Sequence, residues 1–479
     1  MRAYLRQVRQ YNHRYGCDWC LIEAGGAMAR EFHNHSQQEI NRLLRKKKDF
    51  MDFKDYFENN ENHLPPSNNR FNGINGISPL LCLHDFDIVR GISVEPMHSI
   101  SLGVFRKLLN GIINTDAVNI FAKNITRTIF IKEMSQRLIQ IKGLTEMPRT
   151  PRHLDQLKFW KSCEFDTFLS YYFYPTSYGL LKLPVIRHVS TLARIYYLAH
   201  IGPVGQSVLS EINNLVEEFQ QGTSTLFGSK YLSYNLHILS HISESLKFLG
   251  PNSNVSSYPL EDYMGQLKSK VRRYSHAGPA LIRVFMNDFR FKEYVETKIK
   301  KWNLVEKEKK FFGLDEKDSK TTKLVQEKIP DKMINIIIEV LNDKYEVQVN
   351  PIDLKIFKTI RFRGIRYSTR NYCEKKLRND AFIRSDEKFY SVEAICEFKA
   401  KVLFICRQLE TKVTSLSFNG FTGFFSFKLD NTFAIIKEST NYHCVEIESV
   451  STKCIHINSI SFHWTNKTNF VIVPFLQNK

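Results

Sequence analysis

The 479-residue chain has no apolar run near the roughly 18 residues that a membrane-crossing helix requires. Its best stretch, Ile334–Leu341, is less than half that long and is broken by Asn335 and Glu339. Acidic residues are also short, 49 Asp and Glu against 68 Lys and Arg, a formal charge of +19. Nine cysteines, an odd and scattered set, do not make a disulfide framework, and a reducing compartment is expected. Glycine (21) and proline (15) are too sparse for a collagen-like or low-complexity chain. The N-terminus, MRAYLRQVRQYNHRYG, carries no apolar stretch of the secretory type. It is rich in arginine and free of acids there, which keeps a mitochondrial presequence open as an alternative.

What remains is an ordinary globular composition, 43% apolar and 24% charged, able to bury full cores without staples. The surplus of positive charge favours a polyanionic partner, most simply DNA, through phosphate neutralisation. A basic protein with no such partner has the same composition, so charge alone does not decide.

The chain divides by pattern. Residues 36–70 are polar, with the basic run Arg45-Lys46-Lys47-Lys48 read as a solvated helix face and the Asn/Pro-rich segment around Pro65-Pro66 read as a loop. Ile88–Val94 reads as a short strand, and Leu102, Phe105, Leu108 and Leu109 follow at helical spacing. Residues 118–250 are mostly amphipathic helix patterns, and 251–303 continue as basic helices. A lysine-rich linker is expected over 304–350, holding a short helix at Asp331–Asn342. From 351 to 479 the period shortens to β-branched and aromatic strands, a small barrel or sandwich. Its cysteines read as buried strand thiols, and its Lys358–Arg370 stretch as a DNA-facing strand or a polar barrel face.

Three groups of residues can carry chemistry. Cys17 and Cys20 form a C-x-x-C turn, half of a tetrahedral zinc site. His237 and His241, four apart on a helix pattern, face one way and offer the other half. Such a site would tie distant segments together. Packed or capped imidazoles are the bland reading of the two histidines. Glu95, at a strand end with His98 three residues on, is a candidate divalent-metal ligand, though an exposed glutamate in a turn has the same signature. Glu261 stands in the first turn of a helix, where it also complements the dipole. That helix runs on to Lys268, Lys270, Arg272 and Arg273, placed to follow a phosphate backbone.

Taken in order, QYNHRYGCDWC, DIVRGISVEPMHSISLGVFRKLL, FWKSCEFDTFLSYY, YNLHILSHI and GPNSNVSSYPLEDYMGQLKS resemble the transposases of CACTA (En/Spm-like) elements in their metazoan form. The resemblance spans roughly residues 1–300. It implies an α/β RNase H-like core that opens with residues 1–117 and closes with the helices of 251–303, with a large helical insertion over 118–250. The linker 304–350 and a C-terminal all-β domain, 351–479, would complete the chain. It also implies a DDE mechanism, in which three carboxylates hold two Mg or Mn ions for strand cleavage and transfer.

Carried over by residue, the resemblance places the last acid on Glu261 and the second on Glu95, with His98 in support. Glutamate at 95 is one methylene longer than the aspartate that the family has there. The first acid would fall a few residues before Arg2, upstream of Met1, and Asp18 is in the wrong place to replace it. Cys17 and Cys20 match the family's cysteine knuckle, and the blocks holding His237 and His241 match too. The expectation is a nuclear, transposase-derived DNA-binding protein, not competent for catalysis as it stands, with possible structural zinc and no membrane partner. A fragment of an active transposase and a non-enzymatic interaction scaffold are the alternatives.

Overall fold

The computed structural model describes the chain except residues 1, 27–30, 34, 61–69, 115–119, 201–203, 271–276, 298–324, 327–328, 387, 413–432, 458–468 and 473–479. The N-terminal region, up to residue 297, is helical. Its long elements are Lys47–Glu58, Arg106–Asn114, Arg127–Ile139, Leu183–His200, Gln206–Phe227, Tyr258–Lys270 and Ala277–Thr297. One hydrophobic cluster runs through it from Val8 to Leu246 without a break at residue 118. Its centre is aromatic: Phe105 meets Phe165, Phe168 and Phe173 with ring centroids 5.8–6.3 Å apart. The Leu183–His200 helix buries Val185, Ile186, Val189, Leu192 and Ile195, the face its sequence periodicity marks.

Among the described residues of this region there is no β-strand, only isolated bridges such as Val8 with Ile74 and Cys20 with Leu44. The sheet that an RNase H-like core requires is not among them. The strand expected at Ile88–Val94 is a turn. Asp87 makes it one: its Oδ1 accepts from the amides of Val89 (2.8 Å) and Arg90 (2.7 Å), and its carbonyl accepts from Gly91. An aspartate that folds back on its own backbone outcompetes the β-propensity of two isoleucines and two valines. The helix placed at Leu102–Leu109 begins earlier, as a wide π-type turn over Met97–Phe105 that passes into Arg106–Asn114.

Among the described residues the C-terminal region is an antiparallel sheet of ten strands: β1 (Val325–Gln326), β2 (Lys355–Phe362), β3 (Ile365–Ser368), β4 (Phe382–Ser385), β5 (Lys388–Phe398), β6 (Lys401–Lys412), β7 (Phe433–Glu446), β8 (Val450–Lys453), β9 (Ile455–Ile457) and β10 (Asn469–Ile472). The sheet curls. β5 pairs with β4 at one end and β2 at the other, bending at a bulge near Val392. β8 pairs with β4 and β9 with β10, so the two short strands, separated only by Cys454, bring both ends of the sheet together. The β2–β3 turn places Arg363 (φ 49°) and Gly364 (φ 78°) in left-handed backbone, the two-residue hairpin geometry that suits twisted strands. Arg361 and Arg363 lie exposed at that hairpin, while Tyr367 is buried. Cys396 and Cys406 are buried strand thiols; Cys373 sits instead in the short helix Arg370–Glu374, Cys454 lies between strands, and Cys444 is half-buried.

The helix Asp331–Tyr345 packs Ile337 and Leu341 on Ala394, Cys396, Leu403 and Ile405 of the sheet. It belongs to the β module, as β1 does, so the module rather than a linker is found from Val325 onward; residues 304–324 lie outside the described residues. The module is also fastened to the helical region. The Asn379 amide donates to Gly143 O at 3.0 Å, Lys142 Nζ donates to Glu374 O at 2.7 Å, and Ile455 joins the helical core.

Candidate functional site

Cys17 and Cys20 stand on a knuckle that the chain builds from both sides. Gly16 is required there, because a Cβ would sit 2.6 Å from Gln10 O and 2.9 Å from His13 O. The turn then pairs with the 43–45 segment, Leu21 N to Leu43 O and Arg45 N to Trp19 O, both at 2.9 Å. Arg45, read from sequence as part of a solvated basic face, is buried instead. Its Nε donates to Cys17 O at 2.9 Å and its Nη2 to Asn72 O at 2.8 Å, while Lys46, Lys47 and Lys48 stay exposed.

The two histidines approach from the other end of the helical region. The chain runs as a short helix, Tyr234–His237, a 3-10 turn, Ile238–His241, and a helix, Ile242–Leu249. His237 stacks on Phe32 (4.6 Å, 16°) and His241 on Trp19 (5.6 Å, 16°), which fixes both rings. Cys20 Sγ lies 3.2 Å from His237 Nε2, and Cys17 Sγ lies 3.5 Å from His241 Nε2. All four ligand atoms are within 4.8 Å of one another, and all four residues are buried.

This cluster can hold a metal such as zinc. A tetrahedral ion with bonds of about 2.3 Å to sulfur and 2.0–2.1 Å to nitrogen separates S and N by about 3.6 Å, close to both contacts. The donor set is right, two soft thiols and two imidazoles in a closed shell with no place for water. Electrostatics point the same way. Burial opposes ionisation of Cys17, but the hydrogen bond from the Cys20 thiol and then the two imidazoles pull it well below the ordinary thiol range. Cys20 is raised, by burial and by Cys17 beside it.

Asp18, between the two cysteines, is fully buried and paired with Arg6. Arg6 also donates its Nε to Ile88 O at 2.7 Å and lies 5.5 Å from the Trp19 ring centroid. Tyr234 OH donates to the other Asp18 oxygen at 2.5 Å. Asp18 therefore ties the N-terminal helix, the knuckle and the histidine segment together, and takes no part in an acid site.

The second group is Glu95, His98 and Glu261. Glu95 follows buried Val94, whose amide donates to Ser245 Oγ at 3.0 Å. Both oxygens of Glu95 are engaged. Oε1 accepts from the amides of Met97 (3.0 Å) and Ser257 (3.3 Å). Oε2 accepts from the His98 amide (2.8 Å) and meets His98 Nδ1 at 2.7 Å. Burial opposes the charge on Glu95, but these donors, the His98 amide foremost, hold its carboxyl below the usual range. The other His98 nitrogen, Nε2, lies 3.3 Å from Glu261 Oε1. His98 and Glu261 are each more than half exposed, Glu95 only 14%.

Behind Glu95 lies an acid that sequence reasoning missed. Asp166 is mostly enclosed, its carboxylate accepting from Ser101 Oγ on one oxygen and Tyr258 OH on the other. Desolvation pushes its carboxyl up to about 6; the hydroxyls of Ser101, Tyr258 and Tyr196 oppose that rise and Glu95 adds to it. The signal in the sequence was an acid between Phe165 and Phe168 in an aromatic-rich helix pattern. Of the residues expected from sequence to follow a phosphate backbone, Lys268 is exposed on the Tyr258–Lys270 helix and Lys270 is in its last turn. Arg272 and Arg273 lie outside the described residues.

No protein-family profile, curated protein or solved structure matches the chain. Among the described residues no helix is long and apolar enough to cross a membrane.

Proposed function

We propose that the chain is a transposase-derived DNA-binding protein whose acid site does not carry out strand transfer as it stands, and whose thiol–imidazole centre holds a structural zinc ion. The observation that carries this reading is the meeting of Glu95 and Glu261, far apart in sequence, on the two nitrogens of His98. The ordered motifs and the charge of +19 support it. Two Mg or Mn ions, where three free carboxylates hold them, activate water and a DNA 3′-hydroxyl. These residues do not fit that pair. Glu95 has both oxygens committed to backbone amides and His98, an imidazole stands between it and Glu261, and the oxygens of Asp166 are taken by hydroxyls. DNA as partner and the nucleus as its place follow from the same reading.

The test is binding of the full chain to duplex DNA across a salt series, with nicking assayed in Mg²⁺ and Mn²⁺. Affinity is expected to fall roughly tenfold or more between about 50 and 200 mM salt. Nicking is expected to be absent. Metal-dependent nicking that Glu261→Gln abolishes would overturn the loss of catalysis, and salt-insensitive or absent binding would overturn the DNA reading.

A further inference from the structure

The helices Tyr258–Lys270 and Ala277–Thr297 form a pair that stands largely in solvent. Most of their side chains are exposed, including Leu260, Met264, Ile282 and Phe289; Leu267 and Val295 are the buried exceptions. They hold each other. Tyr263 packs on Phe285 with ring centroids 6.4 Å apart, its hydroxyl donates to Asp288 at 3.0 Å, and Lys292 pairs with Asp288 at 3.1 Å.

The root of this pair is gripped at three successive points. Ser257 gives its amide to Glu95, Tyr258 gives its hydroxyl to Asp166, and Glu261 meets His98. All three grips lead back to one stretch of chain. Glu95 and His98 begin the Met97–Phe105 segment, and Ser101 within it donates to the second oxygen of Asp166. Asp166 thus spans two elements, one oxygen to each. Ser101 follows His98 by one helical turn, and Tyr258 precedes Glu261 by one, so the Asp166 contacts and the His98–Glu261 contact are parallel ties between the same two helices.

We propose that this acid cluster is an anchor for the two-helix arm rather than a cation site, with Asp166 as the positioning residue that sets the arm's angle through Tyr258. The charges that a nuclease would spend on ions are here spent on backbone amides, hydroxyls and an imidazole. The arm so held presents the exposed Lys268 to a polyanion, a consequence that rests on the DNA reading above.

The experiment is hydrogen exchange at the amides of Glu261–Leu267 in the full chain, with Tyr258→Phe, Asp166→Asn and the double variant. Each single change is expected to speed exchange at least about tenfold. The double variant is expected to add little, because both remove one contact. Zinc content and the thermal midpoint serve as controls for folding. DNA affinity at low salt is expected to drop with the loosened arm. Unchanged exchange in both single variants would overturn the anchor. So would saturable protection of the same amides by Mn²⁺ in the unaltered chain, which would make the cluster a cation site. Faster exchange with DNA affinity unchanged would overturn the positioning role. If the unaltered chain binds no DNA, the reading above falls and the anchor is judged on exchange alone.

Discussion

Cys20 Sγ and His237 Nε2 lie 3.2 Å apart although they stand 217 positions apart in sequence. The contact closes the helical region on itself, because the knuckle near the N-terminus and the histidine segment bracket nearly the whole of its hydrophobic core. A metal at this point acts as a long-range crosslink. Its binding free energy is folding free energy wherever the unfolded chain holds no preformed site.

Replacing both cysteines, Cys17→Ser with Cys20→Ser, is therefore expected to abolish stoichiometric zinc and to cost more than about 3 kcal/mol of stability. Metal analysis of the purified protein and thermal unfolding with and without chelator check this. Zinc retained in the double variant would remove the site.

Arg6 and Asp18 form a buried ion pair that also carries the backbone of residues 88 and 89. Arg6→Ala leaves a buried aspartate with Tyr234 as its hydroxyl donor and is expected to cost roughly 3–5 kcal/mol. Arg6→Ala combined with Asp18→Asn should recover some of that loss. Urea denaturation of the two variants reads it, and equal losses in the single and double variants would contradict the pairing.

Lys453 is fully buried at the seam between the helical region and the β module. Its Nζ meets Asp380 Oδ1 at 2.5 Å and Glu146 Oε2 at 2.8 Å, and Asp380 in turn accepts from the amide and hydroxyl of Thr145. Lys453→Met removes the positive charge between two acids and is expected to cost roughly 3–5 kcal/mol. The loss should appear as separate unfolding of the β module, seen as a biphasic denaturation curve. A single unshifted transition would show that the seam does not depend on the lysine.

Asp166 gives a pH dependence with a definite sign. Its carboxyl titrates near 6 in the fold against 3.8 for an ordinary aspartate, with Glu95, Tyr196, Tyr258 and Ser101 facing it. A raised acid pKa means that the folded state holds the proton more tightly than the unfolded chain. The stability it contributes is present below the unfolded value and lost as pH rises through about 6. The span corresponds to at most about 3 kcal/mol. Stability of the unaltered chain minus that of Asp166→Asn, measured from pH 4 to 7, should fall with rising pH; a flat difference would rule the titration out.

The four residues proposed to meet DNA allow a last check. Replacing Lys268, Lys270, Arg272 and Arg273 by alanine together should lower the salt slope of DNA binding by roughly three to four. An unchanged slope would place the DNA elsewhere on the chain.

The residue types and spacings told most about the thiol–imidazole centre. A C-x-x-C turn and two histidines four apart are local patterns, and their chemistry admits few other partners. Asp18 shows the limit of that kind of reading. Cys17 and Cys20 on either side of it can hold a metal, yet its own partner is Arg6, which only the folded chain brings to it. Ile88–Val94 shows another, since strand propensity there lost to one aspartate side chain and its neighbouring amides. Arg45 looked like one of four solvated cations because a charge run carries no mark of which member turns inward to cap a knuckle.

By itself the sequence determined what is composed locally: helical periodicity before residue 300, strand alternation after 351, the surplus of positive charge and the two halves of a soft-metal site. Only the tertiary structure decided how those pieces are used. It showed both oxygens of Glu95 already occupied, Asp166 bridging two helices, and Lys453 buried between segments of the chain that composition would separate. The physical reason is that helix and strand patterns depend on residues within a few positions. Whether a carboxylate stays free or is consumed depends also on donors from distant segments, Ser257 for Glu95 and Ser101 and Tyr258 for Asp166, and the packing of the core decides which ones arrive.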